Sequence, residues 1–320
     1  MRHLFIIDPL ERLQLAADST IAFMREADSR GHEIWTCQIE TMGVRDGGRA
    51  GARAVRTQLE EGPSWYRTDG DQEAVFLDAF DVVWMRKDPP FDMRFFYATH
   101  LLSLVAPSTL VVNDPLALRD ANEKLIALRF PEVCPKSMVS SSIADLLTFR
   151  DEMGGEMIVK PLDGAGGEGI FHITPGDRNT NAILEAATLA QSRPIMAQEY
   201  LPAIRTEGDK RVIVVEGKAL GAVLRVPHES EARANFHVGG KAEKMKLTER
   251  DLEICDVVGP KLSDMGIVFA GLDIIGDYLT EINVTSPTGI REIAELDGIH
   301  IERDVLDAVV ARSEALRSES

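Results

Sequence analysis

Three features of the sequence predict an α/β and α+β chain in three units, a Rossmann-like parallel βαβ layer, a small α+β domain and a C-terminal unit built around a late hairpin. Residues 1 to about 120 alternate apolar strand runs with helical periodicity, the pattern of parallel strands joined by crossovers. From Asn122 the strands shorten, and a glycine-dense loop lies between two of them. Near the C-terminus two β-branched runs flank Gly276-Asp277, a dipeptide that favours a tight hairpin turn. The 320 residues suit two or three small domains, and we place them at 1–121, 122–197 and 198–320.

Within the first unit, strands are expected at Leu4 to Ile7, Glu33 to Cys37, Val82 to Met85 and Leu110 to Val112. Helices are expected from about Asp18 to Arg30, ended by Gly31, and around Met93 to Val105. The polar, Gly- and Arg-rich stretch from Glu40 to Glu73 reads as a long loop or surface hairpin. Arg86-Lys87-Asp88-Pro89-Pro90 follows the third strand, at the C-terminal tip where open α/β sheets place ligands. A solvated strand end explains the same charges.

The second unit reads as a short helix opening at Asn122-Glu123-Lys124-Leu125, a strand from Lys136 to Val139, a Ser-capped helix from Ser142 to Glu152, and a strand ending at Lys160. Gly164-Ala165-Gly166-Gly167-Glu168-Gly169 satisfies the spacing of the dinucleotide fingerprint, but that motif needs a helix to begin inside it. Here the alternating strand Ile170 to Ile173 follows, so we read a flap between antiparallel strands whose bare N–H groups approach phosphate. After a helix over Thr180 to Ala190, the strand Ile195 to Leu201 is broken by Pro202, as at a hinge.

In the third unit two strands lie around Glu216-Gly217 and carry Arg211 and Arg225, with Arg233 following. Guanidiniums in an acidic chain are either surface residues or bidentate carboxylate holders. Residues 227 to 246 lack periodicity and contain Gly239-Gly240, the pattern of a loop that orders over ligand. Thr248 opens a capped helix with Leu252, Cys255, Val258 and Leu262 on one stripe and Pro260 as a kink. Helices are expected again over Gly289 to Leu296 and His300 to Arg317. On the late hairpin, alternation points Glu281 and Asn283 to one face with Asp273 across from them. Such oxygen-only ligation suits magnesium with a nucleotide's phosphates, or else these are polar residues on a solvated face. This stretch alone leaves both readings open.

Composition narrows the partners. A formal charge of −17 disfavours nucleic acid and anionic membranes, and no run of eighteen apolar residues or signal peptide is present, so we expect a cytoplasmic protein. Cys37, Cys134 and Cys255 are far apart and in no metal or redox spacing, as reduced buried thiols would be.

In order, the chain offers Met85 to Phe91, Asn122 to Leu125, Lys160 to Gly164, Tyr200 to Ile204, Gly271 to Asp277 and Leu279 to Thr288. These runs resemble the ATP-grasp superfamily, and within it the bacterial glutathione synthetases, over essentially the whole chain. The resemblance implies ATP-dependent joining of γ-glutamylcysteine to glycine through an acyl phosphate, in a homo-oligomer and perhaps a tetramer. It implies ATP contacts at Lys124, Lys160, Gly164, Gly166, Gly167, Gly169, Glu199, Tyr200, Leu201 and Asp209. Magnesium, or manganese in its place, would lie on Asp273, Glu281 and Asn283. Arg86, Arg211, Arg225, Arg233, Gly240, Asn283, Ser286 and Pro287 would hold substrate, with Arg211, Arg225 and Lys160 catalytic. The chain departs from the family pattern at Glu199 and at Lys241-Ala242, which bears on acceptor choice. Rival readings are an ATP-grasp ligase for a different carboxylate, a noncatalytic ATP-binding protein, and a nicotinamide enzyme resting on the glycine spacing alone.

Overall fold

The computed structural model describes residues 1–45, 47–226 and 241–319; Arg233 and Gly240 lie outside the described residues, as does most of the 227–246 loop. The first sheet contains β1 (Arg2–Ile6), β2 (Glu33–Cys37), β3 (Gly43–Arg45), β4 (Arg49–Leu59), β5 (Tyr66–Thr68), β6 (Glu73–Phe76), β7 (Val82–Met85) and β8 (Leu110–Val112). Its order is β3-β4-β2-β1-β7-β8, with β5 and β6 also paired to β4. The four strands β2, β1, β7 and β8 run parallel, as the alternation requires, while β4 joins β2 antiparallel.

Of the two readings for Glu40 to Glu73, the hairpin is the one found and the long loop is corrected: β3, β5 and β6 all pair antiparallel with a long β4 that extends the sheet. Its signal was weak because the inward positions of β4 include small residues, Ala50, Ala52 and Ala54, which fill the interface without a large aliphatic stripe. Helices α1 (Ser19–Ser29), capped by Asp18, and α2 (Met93–Leu102), capped by Asp92, follow their expected positions. A short α3 (Pro115–Asp120) leads to the second unit.

There Asn122 Oδ1 accepts from the amides of Lys124 and Leu125, and a single 3-10 turn over Ile126–Arg129 replaces the expected helix. The second sheet is β9 (Ser137–Ser140), β10 (Met157–Pro161), β11 (Phe171–Ile173) and β12 (Ile195–Glu199), ordered β11-β10-β12-β9 and wholly antiparallel. It is backed by α4 (Ile143–Glu152) and α5 (Thr180–Ala187). After the short α6 (Ala203–Thr206) comes the third sheet, β13 (Asp209–Val215), β14 (Lys218–Val226), β15 (Lys241–Lys244), β16 (Phe269–Ile275) and β17 (Tyr278–Asn283), ordered β15-β14-β13-β16-β17. Thr248 and Asp251 form a reciprocal capping box at α7 (Glu249–Asp264), which runs through Pro260. Ile254, Cys255, Val258 and Leu262 are buried on it, whereas Leu252 faces solvent. The chain closes with α8 (Ile290–Asp297) and α9 (Ile301–Glu319).

The apolar cores show which parts share an interior. One core joins Leu4, Met85 and Ile126 to Val212, Leu272 and Ile282; another joins Phe5 and Trp84 to Ile213, Phe269 and Val309. The first and third sheets thus share their interiors. A third core, around Leu146, Phe149, Met157 and Ile195, belongs to the second sheet and its helices alone. Residues 126–134 pack with the large body, so the separate lid begins at β9.

Asn113, just after β8, stitches the body. Its amide donates to the carbonyls of Phe269 and Val284, both at 2.8 Å, and its oxygen accepts from the amides of Val268 at 2.9 Å and Phe269 at 3.1 Å. All three cysteines are buried free thiols, each pushed up to about 12 by burial. Among the described residues no helix is long and apolar enough to cross a membrane.

Candidate active site

A cleft of about 1230 Å³ separates lid from body, and the glycine flap, the hinge, Arg211, Arg225 and the late hairpin all open into it. The flap joins β10 to β11, as the alternation after Gly169 predicts. Gly166, Gly167 and Gly169 adopt φ values of 62°, 83° and 70°, the left-handed region open mainly to glycine. Gly164 is required for a different reason: a Cβ there would stand 2.6 Å from Pro161 Cγ. Two contacts tie the flap's base to the body. Asn122 Nδ2 donates to Leu162 O at 2.9 Å, and Lys124 Nζ donates to Gly164 O at 2.7 Å.

Lys124 also reaches Glu281 Oε1 at 3.0 Å and is 3% exposed. Lys160 comes to the same end of the cleft from β10, 5% exposed, donating to Gln198 Oε1 and Thr280 O, both at 3.2 Å. Burial lowers Lys160 from the usual lysine value, with Glu281 opposing. Two buried ammonium groups, faced by the carboxylates of Glu281, Asp273 and Asp209, gather positive charge at one end of the cleft, within a chain whose overall charge repels phosphate.

At the hinge, Glu199 N donates to Lys136 O at 2.8 Å, and Glu199 Oε2 accepts from Lys136 N at 3.3 Å. Tyr200 stacks on His172 with centroids 4.0 Å apart and 15° between planes, while His172 Nε2 pairs with Glu156 Oε1 at 2.8 Å. Ile158, Leu201 and Ile275 also line the cleft and add apolar surface to it.

The Gly276-Asp277 hairpin forms as expected, with Asp273 opposite Glu281 in register and a bulge between Asp273 and Ile274. Glu281 and Asn283 both face the cleft. Asn283 Nδ2 donates to Gly271 O at 3.3 Å, so its oxygen is the atom offered as a ligand. Asp273 lines the cleft but is engaged with arginine: Arg211 Nε and Nη2 hold its two oxygens at 2.6 and 3.1 Å, and Arg225 Nη2 approaches at 2.8 Å. Burial alone would raise Asp273, but the two guanidiniums outweigh it and hold the carboxyl well below the usual range. Arg225 also binds Asp209 Oδ2 at 2.5 Å. Burial raises Asp209 well above the usual carboxylate value despite Arg225, and its other oxygen has no hydrogen-bond partner among the described residues.

Among the described residues no three His, Cys, Asp or Glu side chains form a self-contained metal cage. Magnesium does not need one, because it takes one or two carboxylates and keeps its remaining positions for water and phosphate. Glu281 and the Asn283 oxygen, beside Lys124 and Lys160, fit that requirement.

Ser286 and Pro287 line the cleft on the strap of residues 284–287 that follows β17. Arg86 does not. It is buried behind the strap, donating to Thr20 Oγ1 at 3.1 Å, Thr285 O at 3.4 Å and Pro287 O at 3.3 Å, with its guanidinium over Phe23 and Phe269. The expected direct hold on a substrate carboxylate is corrected to a brace on the strap. Sequence reasoning did not single out Glu123, Gln198 or His172, all of which line the cleft. Glu123 lay inside a quoted run, yet its partners, Val284 and Thr285, are far along the chain.

Comparison with known proteins decides the family. The family model of the prokaryotic glutathione synthetase N-terminal domain matches residues 1–119, and that of the prokaryotic glutathione synthetase ATP-grasp domain matches residues 123–298. The chain belongs to the prokaryotic glutathione synthetase family. Glutathione synthetase of Synechococcus elongatus is 46% identical, covering 99% of both chains, and that of Gloeobacter violaceus is 45% identical, covering 97% of both. Glutathione synthetase of Brucella melitensis is 42% identical over 96% of this chain and 97% of its own. A crystal structure of D-cycloserine synthetase DcsG superposes with a TM-score of 0.69 at 14% identity, over 98% of this chain and 99% of its own, showing the same ATP-grasp fold. The chain is accordingly an ATP-dependent ligase of glutathione synthesis.

Proposed function

We propose that the cleft transfers the γ-phosphoryl group of ATP to the cysteinyl carboxylate of γ-glutamylcysteine. The glycine amine then attacks the acyl carbon, and phosphate leaves to give glutathione. The observation that supports this best is the meeting, at one end of one cleft, of Lys124, Lys160, the glycine flap and the Glu281–Asn283 pair, next to the Arg211–Asp273–Arg225 bridge. Joining two anions requires positive charge held in place beforehand.

In this reading the adenine lies against the hinge at Glu199, Tyr200 and Leu201, with Asp209 at the nucleotide's edge. Lys124 and Lys160 hold phosphates, and the flap from Gly164 to Gly169 covers them with its amides. Glu281 and Asn283 hold magnesium, with Asp273 as third donor beside its arginines; when bound, the ion offsets charge on the transferring phosphoryl group. Arg211 and Arg225, positioned by Asp273, face the carboxylate and the acyl phosphate, while Ser286 and Pro287 shape the substrate wall. Closure of the lid keeps water from the acyl phosphate. Arg233 and Gly240 are assigned to substrate by family resemblance alone, as is a tetrameric assembly, which light scattering of the full chain tests.

The deciding experiment measures ADP release with defined substrate pairs. Stimulation by γ-glutamylcysteine plus glycine, with glutathione formed in equal amount, is the expected result. Stimulation by another carboxylate–amine pair instead would sink the substrate assignment and leave the ligase chemistry standing.

A further inference from the structure

We infer that Glu123 is a positioning residue for the metal-holding strand. It fixes the stretch from Ile282 to Thr285 on which Asn283 depends, and thereby sets the distance between Glu281 and Asn283. The inference rests on the assignment of those two residues to magnesium.

Glu123 meets that stretch at both ends. Its main-chain oxygen accepts from Ile282 N at 2.9 Å, the residue between the two ligands. Its carboxylate Oε1 accepts from Val284 N and Thr285 N, each at 3.3 Å, and from Thr285 Oγ1 at 2.7 Å. Asn283 therefore lies between two anchored peptides, and neither anchor belongs to its own sheet. The same two-residue segment continues into Lys124, whose ammonium touches Glu281 and the flap carbonyl of Gly164. One rigid turn, fixed by Asn122 Oδ1, thus holds the metal strand with one side chain and the phosphate end with the next.

The physical need is clear. β17 is the edge strand of its sheet, paired only with β16, and its last residues leave the ladder at Asn283. Beyond that point no strand among the described residues pairs with the chain. Magnesium demands near-ideal octahedral geometry, so a ligand at a strand end depends on contacts from outside the sheet; Asn113 on Val284 O and Arg86 on Thr285 O hold the carbonyls there, and Glu123 holds the amides. Carboxylate hydrogen bonds to backbone N–H groups are among the stronger neutral-donor contacts, and groups that orient metal ligands without touching the ion are worth substantial affinity.

The test compares Glu123→Ala, Glu123→Gln and Thr285→Val with the parent chain. It measures the magnesium concentration for half-maximal glutathione formation, KM for each substrate, and binding of a fluorescent ADP analogue with and without magnesium. Glu123→Ala is expected to raise the half-saturating magnesium about tenfold or more and to weaken the magnesium-dependent part of ADP binding by a similar factor. Metal-free ADP binding stays within about twofold, a split that general loss of structure does not produce. Glu123→Gln and Thr285→Val shift the same two quantities in the same direction by less. An unchanged magnesium dependence in Thr285→Val and in whichever Glu123 variant folds overturns the inference. Glu281→Gln run alongside separates the two levels: if it keeps the parent's magnesium dependence, the metal assignment itself fails, whatever Glu123 does.

Discussion

The lid and the body hold their charges in different ways. The body is two sheets sharing two cores, and into it are built Glu281, Asn283 and the Arg211–Asp273–Arg225 bridge, all on strands or just beyond a strand end. The lid has one small core of its own and contributes glycine amides and a single buried ammonium, Lys160. Groups that must sit at fixed distances are carried by the larger, doubly packed part. Groups that must close over a ligand are carried by the part with an independent interior.

The strongest way to break this division is to remove one charge from each side. Glu281→Gln on the body and Lys160→Ala on the lid should each lower turnover by at least about a thousandfold in a coupled ADP assay, while the unfolding transition stays cooperative. Near-normal rates in either would contradict its assigned place in the cleft.

Core truncations sharpen the comparison. Leu272→Ala and Leu146→Ala each delete a fully buried side chain, and each should cost about 2–5 kcal/mol. The first belongs to the shared core, so hydrogen exchange should quicken in both the first and third sheets. The second should loosen residues 137–199 and leave the body protected; a uniform response to both would show that lid and body unfold as one.

Acid reports on the body through His3. Burial holds His3 at about 3, with His32 and the N-terminus adding, against an ordinary 6.5. It accepts from Trp84 Nε1 at 3.0 Å and lies 3.0 Å from His32, so it is neutral when folded. A depressed histidine contributes stability that is present above pH 6.5 and is lost as pH falls from there toward about 3. The unfolding free energy from denaturant titrations should decline through that window by up to about 1.4 kcal/mol per pH unit, and His3→Gln should flatten the slope.

The smallest effect is expected on the flap. Gly166→Ala forces a left-handed residue, at about 1 kcal/mol, in a loop that touches neither core. KM for ATP should rise several-fold with the melting temperature of the body unchanged.

Much of this was legible in advance because the signals were local. The Gly276-Asp277 turn, the period-two placement of Glu281 and Asn283, and the strand after Gly169 each follow from neighbours a few residues apart. The attachment of the 40–73 hairpin to the sheet through β4 was missed because alanine buries a surface without announcing it. The inward turn of Arg86 was missed because a charged strand tip reads the same whether it faces ligand or carbonyl oxygens. Glu123 and Asn113 act on peptide groups more than 150 positions away, which no window along the chain can reveal.

Asn113 has one more consequence. Both its amide hydrogens and both lone pairs of its oxygen are consumed by peptides of the third sheet. The N-terminal layer is for this reason not a portable module. Expressed by itself, it would present a buried amide and a bare apolar face to water, so recombination could exchange the lid among relatives far more readily than either half of the platform beneath it.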